Sequence, residues 1–462
     1  MTPTRMVAMM MLLFIFIPDV SSDIADGCQR QNDDSELISW KCHDKMIEVT
    51  LMTEELLKIN CASEESSIGE EGTFLIFNRS QVDQISFVKI QNCQFKSEDS
   101  IVKLMTFLNV NESSISKLEL LSSDLRNISE NFLSGFSNLT SLILEDSDLE
   151  KLDPSLFKDT KLLSTLSITN SSLKIIHETT FHELENLNEF TFNFNKIANF
   201  PSNLFLKNSN LRSFEVLQNN ANITELPDFM FQSSSLEVID IQHSPVTRIA
   251  SSWLSGCNNL KRLILRASMV RELPEEIFSD TKHLGLIDVS ENLIQNLPEK
   301  IFSGMENLQF LFMNNNLIKQ LDESLFVETI SLRKLQLQHN LLGSLNQYLL
   351  RTTNYLEEIN LSNNNLLSKD TECFKNQNLQ HVRMIDLSFN KFFMINFNFF
   401  LMSKLQYLNL SHNAIGPVLS SQDIDFKLTF GLTVDLSFNS IEVVDLREKI
   451  GPEISKGEFN LT

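Results

Sequence analysis

Apolar and polar positions recur along this chain in one short phrase, L-x-x-L-x-L-x-x-N-x-L. The residue in its N slot is Ser123, Ser147, Ser171, Asn195, Asn219, Ser244, Ser268, Asn292, Asn316, Asn340, Asn364, Asn390, Asn413 and Asn439. The spacing is almost constant from Ser123 to Asn364 and turns irregular only over Asn390, Asn413 and Asn439. Within the phrase, apolar residues alternate with the period of a strand. In Leu284 to Ile294, for example, Leu284, Ile287 and Val289 point inward. Gly285, Leu286, Asp288, Ser290 and Glu291 lie on or beside the outer face. Self-similarity at such a period predicts a solenoid whose coils bury one shared core. The expected class is α/β: a horseshoe with a parallel concave sheet and short helical or irregular convex stretches.

The N slot turns the chain inward. An amide there can satisfy loop backbone that would otherwise be buried unpaired. Serine can do this with fewer bonds, so the early coils should be less regular. About ten residues after the slot comes a Phe: Phe157, Phe181, Phe205, Phe278, Phe302 and Phe326, with Phe231 and Phe374 slightly offset. That periodicity predicts a packed spine on the convex side rather than a ligand pocket. It accounts for 35 Phe beside 2 Trp and 3 Tyr. The stretches Glu225–Phe231, Glu272–Phe278 and Asn296–Phe302 turn at Pro before entering the convex side.

Residues 1–22 read as a secretory signal, with Arg5, an apolar run from Val7 to Ile17, and small residues near a cleavage point before Asp23. The run is shorter than the roughly 20 residues a membrane helix needs. Sequons at Asn78, Asn111, Asn127, Asn138, Asn170 and Asn222 agree with that route. Those at Asn360 and Asn409 fall inside the L-N-L-S strand, for which chance is a fair explanation, so the others are the better acceptor candidates; Asn460 completes the set. Formal charge is 38 − 60 = −22, which argues against nucleic acid or an anionic membrane as partner. It fits either a basic protein ligand or a solvated acidic surface.

Cys28, Cys42 and Cys61 precede the regular coils, and Cys93 fits the N slot of an earlier one. A solenoid end needs a cap, and extracellular caps are commonly stapled. The expected pairs are Cys28–Cys42 and Cys61–Cys93; the alternative leaves Cys93 as a thiol in the ladder. Cys257 and Cys373 sit about five coils apart, on the order of 24 Å, too far for a disulfide. They are expected as buried free thiols.

No phosphate loop, H-E-x-x-H, C-x-x-C, G-x-S-x-G or calcium loop occurs, so neither an enzyme, a cofactor nor a metal site is expected. His243, His339 and His412 precede N slots, where they could line a rim or stand as ordinary exposed imidazoles. The concave positions carry one distinctive group: Lys261, Arg262 and Arg266, then Leu286, then Phe310 and Phe312, then Arg333 and Lys334. Aromatics flanked by Arg have the composition of a binding hot spot.

The repeat is that of leucine-rich repeat proteins. Three features also resemble an insect Toll receptor ectodomain. Cys28 and Cys42 are followed by K-I-N-C at 58–61 and V-D-Q-I-S-F-V-K-I-Q-N-C at 82–93; the coils carry L-P-x-x-x-F; and Leu432 to Ile441 is a contracted coil. The resemblance covers about residues 28–462. It implies a ligand-binding ectodomain in innate immune signalling, with a secreted cystine-knot cytokine of the Spätzle type as ligand and a possible receptor dimer. The alternative is a secreted leucine-rich repeat protein acting as a soluble binder or decoy. The expected organisation is a signal at 1–22, a cysteine cap at 23–80, about 15 repeats over 81–450 and a tail at 451–462. The chain stops where the family's C-terminal cap, membrane helix and TIR domain would follow. It would stand at the cell surface if continued and outside the cell if complete. The edge of the last coil, at Val434 and Leu436, is expected to be bare.

Overall fold

The computed structural model describes residues 28–32, 38–42, 47–52, 55–61, 67–68, 84–95, 100–218, 223–231, 235–375, 379–394, 402–420, 432–445 and 458–460. The proposed signal and the sequons at Asn78 and Asn222 lie outside them.

One 20-stranded sheet runs through these residues. Its first strands, Cys28–Asn32, Ile38–Cys42, Ile47–Leu51 and Leu56–Cys61, pair antiparallel in sequence order. From Leu56–Cys61 onward every pairing in this sheet is parallel, through Phe87–Gln91 and Lys117–Leu121 to Thr433–Asp435 and Glu458–Asn460. The parallel ladder therefore begins before residue 81, the expected start of the repeats. The regular period misses that strand because Leu57 pairs with Val88 and Val88 with Leu118, spacings well over one regular coil. At the other end Val434 pairs with Phe459, so a further strand borders the coil expected to be bare.

Core residues alternate along each strand. Leu284, Ile287, Leu308, Leu311, Leu332 and Leu335 are buried, and their strand neighbours face the concave side. The convex side consists largely of turns. Among the described residues the one α-helix is Ser100–Phe107, and Glu112–Ser114 and Ser368–Lys375 are 3-10 helices. The helical share of this α/β solenoid is thus small.

The Phe spine is present. Phe181 stacks on Phe205 and Phe205 on Phe231, with ring centres 5.5 and 5.6 Å apart; Phe278, Phe302 and Phe326 stack at 6.1 and 6.2 Å. Trp253 continues the aromatic line beyond Phe231, at 6.1 Å. All these rings are buried.

The N-slot ladder differs by residue type as expected. Asn292 Nδ2 donates to Leu265, Val289 and Ser290 carbonyls at 2.7, 3.1 and 3.0 Å, and its Oδ1 accepts from Val270 N–H at 3.0 Å. Asn316, Asn340 and Asn364 repeat this pattern. Ser123, Ser147, Ser171 and Ser244 donate to the carbonyl two residues back, and Ser268 Oγ finds no partner among the described residues. Ser123 Oγ also accepts from Cys93 N–H on the preceding coil, at 3.2 Å. A hydroxyl has one proton and a shorter reach, so it cannot serve two coils as fully as an amide does.

The residue before each of the fourteen N slots has a positive φ, from Ser122 at 45° to Glu291 at 57°. Few L-residues favour this region, and each such non-glycine corner costs on the order of 1 kcal/mol or more. A repeated bond offsets it. The corner N–H donates to the next coil, as in Phe194 to Leu217, His243 to Arg266, Glu291 to Asn314 and Phe389 to Ser411. Asn92 shares this geometry and precedes Cys93, which confirms Cys93 as an N-slot residue.

Cys61 and Cys93 form a disulfide, with Cα atoms 5.1 Å apart, so Cys93 is not a free ladder thiol. The strand register sets the backbones of Cys28 and Cys42 opposite one another; their thiols lie outside the described side chains. Cys257 and Cys373 are buried and unpaired. Burial, reinforced by Asp280, pushes the Cys257 thiol up to about 12. Because the bridge closes a separation of 32 residues, replacing Cys61 and Cys93 together by Ser should destabilise the first coils by about 2–4 kcal/mol. Urea unfolding of the oxidised parent and the oxidised double variant checks this: the variant's midpoint should be lower.

Candidate concave binding site

Strand register brings the predicted site residues together. Val238, Arg262, Leu286, Phe310 and Lys334 form one row across five adjacent strands. Asp240, Ile264, Asp288, Phe312 and Gln336 form the next. Side chains in a row stand about 4.8 Å apart, so Leu286 and Phe310 are direct neighbours. Val238, Ile264, Leu286, Phe310 and Phe312 are all half-buried and make an apolar island on the concave sheet. Two of these five, Val238 and Ile264, escaped the sequence reading. Aligning positions by the coil length puts Ile264 on the strand next to Leu286 and Val238 two strands away in the row of Leu286.

The flanking cations behave differently from expectation. Lys261 pairs with Glu237 at 2.8 Å, Arg266 with Glu291 at 2.6 Å, Arg333 with Glu357 at 2.8 Å and Lys334 with Glu358 at 2.5 Å. Each partner lies on the adjoining coil, so these bonds tie coils together and cancel most of the positive charge. The exposed Arg262 makes no ion pair among the described residues. The site is therefore an apolar island with one guanidinium left over for a ligand, set in a mixed and nearly neutral rim.

Acidic groups lie beside it. Glu215 and Asp240 are in-register neighbours, and Asp288 lies two strands beyond Asp240. Burial pushes the Asp240 carboxyl above the usual range; Glu215 and Asp288 add to this, while the Gln242 amide and Arg262 oppose it. The Glu291 carboxylate bonded to Arg266 raises the guanidinium's pKa further.

The three histidines do not come together. His243, His339 and His412 each occupy a positive-φ corner, several coils apart. His412 lies between Phe389 and Phe438, with parallel rings 4.0 and 4.2 Å away. Among the described residues no group of His, Cys, Asp and Glu is arranged to hold a metal ion. A polar cleft of about 610 Å³ opens near the disulfide, lined by Asn92, Ser122, Asp124, Arg126, Asp146 and Asp148 among others. Arg126 already pairs with Asp124 there, at 2.5 Å.

Stacked coils, an amide ladder and an open concave sheet define a leucine-rich repeat solenoid, and comparison with known proteins agrees. The family model described as BspA type leucine rich repeat region matches residues 224–342 and 273–404, and a second, leucine rich repeat, matches 137–197. The chain is a leucine-rich repeat protein with structural similarity to Toll-type ectodomains.

The solved Drosophila Toll–Spätzle complex superposes with a TM-score of 0.56 at 16% identity, covering 94% of this chain and 68% of that one. A Leptospira interrogans LRR protein gives 0.61 at 19% identity, covering 82% and 92%. A TLR13–ssRNA13 complex gives 0.54 at 17%, covering 84% and 66%. At these identities the likeness is one of fold. In sequence, the Caenorhabditis elegans leucine-rich repeat serine/threonine-protein kinase 1 is 32% identical over 84 residues. That match spans 18% of this chain and 4% of the kinase. Among the described residues no helix is long and apolar enough to cross a membrane.

Proposed function

We propose that this solenoid is the ligand-binding region of a Toll-type receptor, and that it takes a secreted cystine-knot cytokine on its concave face. The apolar island of Leu286, Phe310 and Phe312, extended by Val238 and Ile264, carries the reading. It clusters half-buried apolar side chains on the concave sheet around Arg262 and Asp288, and such surface marks a protein contact. Arg262 at its edge supplies a charge for orientation. The cations at Lys261, Arg266, Arg333 and Lys334 serve the rim. The role is binding, not catalysis, with the chain entering the secretory pathway and acting at or outside the cell surface. Nucleic acid is disfavoured by the net charge of −22. A soluble binder or decoy would use the same surface.

The test is titration of a purified Spätzle-type cytokine against the parent and three variants, Phe310→Ala, Phe312→Ala and Arg262→Ala. Central aromatic anchors contribute about 2 kcal/mol or more, so each Phe variant should lose roughly thirtyfold in affinity. Arg262→Ala should lose about tenfold. Unfolding midpoints should change little, since all three side chains face solvent on one side. Parent-like affinity in all three would refute this site.

A further inference from the structure

We propose that Asn360 and Asn409 carry N-linked glycans, which flank the apolar island and shield the C-terminal end of the concave sheet. The proposal rests on the secretory reading above, and the Cys61–Cys93 disulfide supports that route.

The two sequons arise from a turn device. In five coils the position after the middle strand Leu, Ile or Val holds Asp or Asn, and Ser follows two residues later. Ser290 N–H donates to Asp288, Ser362 to Asn360, Ser388 to Asp386, Ser411 to Asn409 and Ser437 to Asp435, all at 2.9–3.0 Å. Either residue type serves this bond. Where it is Asn, the device spells Asn-Leu-Ser. An acceptor that arises from turn geometry is still an acceptor, because the chemistry requires Asn-x-Ser with x other than Pro.

The amide nitrogens separate the sequons. Asn138 Nδ2 donates to the Ser113 carbonyl at 2.7 Å. That bond belongs to a second ladder, in which Asn186, Asn210 and Asn307 reach the Lys161, Glu185 and Lys282 carbonyls. Asn170 Nδ2 is bonded to Asp146. In Asn360 and Asn409 the Oδ1 holds the Ser N–H, and the Nδ2 makes no hydrogen bond among the described residues. Both residues are half-buried at outward-facing positions of the concave sheet. Asn111, with Oδ1 held by Ser113, and the exposed Asn127 share this freedom of Nδ2.

Strand register places Asn360 two strands beyond Phe312, about 10 Å away, and Asn409 two strands further. Sugars there would end the open binding surface near Lys334. In the transfer, Nδ2 attacks the anomeric carbon of a lipid-pyrophosphate-linked oligosaccharide, the donor held by the secretory pathway's transferase. A C–N bond forms and the sugar–pyrophosphate C–O bond breaks. The pyrophosphate leaves with the electron pair and the amide loses one proton.

The full chain, secreted from a eukaryotic cell, is digested and its glycopeptides are identified by mass spectrometry after enzymatic sugar release in heavy-oxygen water. Label is expected at Asn360 and Asn409. Asn360→Asp and Asn409→Asp retain the Ser N–H acceptor, so each should keep the parent circular dichroism and lose one glycan on a gel. In the double variant, hydroxyl-radical oxidation of Met384 and Tyr407, on the same strip of sheet, should rise severalfold. Sugar at Asn111 or Asn127 with bare Asn360 and Asn409 would overturn the proposal, as would a secreted chain bare at every sequon. Occupied sites with unchanged oxidation would overturn the shielding. A chain retained in the cytosol would refute the secretory reading first, and this proposal with it.

Discussion

Replacing Phe205 by Ala should destabilise the solenoid by about 3–5 kcal/mol, a loss typical of a deleted core aromatic. Phe205 is fully buried, and four rings surround it: Phe181, Phe190, Phe214 and Phe231, with centres 5.1–5.6 Å away. Such pairs add about 0.5–1.5 kcal/mol each beyond area burial. The cavity would open between two coils, so both neighbours lose packing. Phe205→Leu should recover much of the loss by refilling the space. The midpoint of urea unfolding measures both variants, and a loss under about 1 kcal/mol for the Ala variant would contradict a close-packed spine.

Asn316→Ala should have an effect of similar size through a different cause. Its Nδ2 donates to the Val289 and Met313 carbonyls at 2.9 and 3.1 Å, and its Oδ1 accepts from Ile294 N–H at 3.0 Å. Alanine leaves these main-chain groups buried without that partner. The Val289 and Met313 carbonyls keep the Asn292 and Asn340 amides and each lose one bond worth about 1 kcal/mol, while Ile294 N–H is orphaned at about 1–3 kcal/mol, for a total of roughly 3–5 kcal/mol. Ser147→Ala, by contrast, removes one bond to a carbonyl of its own coil and should cost about 1 kcal/mol. Near-equal losses for Asn316→Ala and Ser147→Ala in the same urea series would refute the distinction between the two residue types. Because each coil contacts only its neighbours, hydrogen exchange should rise around the altered coil first.

Much of this architecture is legible in the phrase itself. Leu and Ile alternation places the strands, and the N slot and its Phe place the ladder and spine. The opening strands are less visible, because the antiparallel ones carry no repeat and the first parallel ones are spaced more widely than a regular coil. The binding patch was half legible. Leu286, Phe310 and Phe312 stand out by type, but the neutralised charges do not. Glu237, Glu357 and Glu358 each lie one coil in sequence from their partners Lys261, Arg333 and Lys334, so comparison at that distance would have paired them. The left-handed corners are hidden for another reason. Phe and Glu carry no signal for that conformation; it is imposed by the coil.

Those corners have a consequence for how such a surface can vary. φ stays within 45–59° at positions occupied by Asn, Ser, Asp, Phe, Gln, His, Ala and Glu alike. The backbone there is dictated by the bond to the next coil, so the side chain is left undetermined by the turn. Each coil thus holds one rim position at which many different side chains, none of them β-branched, serve the same fold. A lineage of such chains could rewrite that strip, one residue per coil, without redesigning the scaffold beneath it.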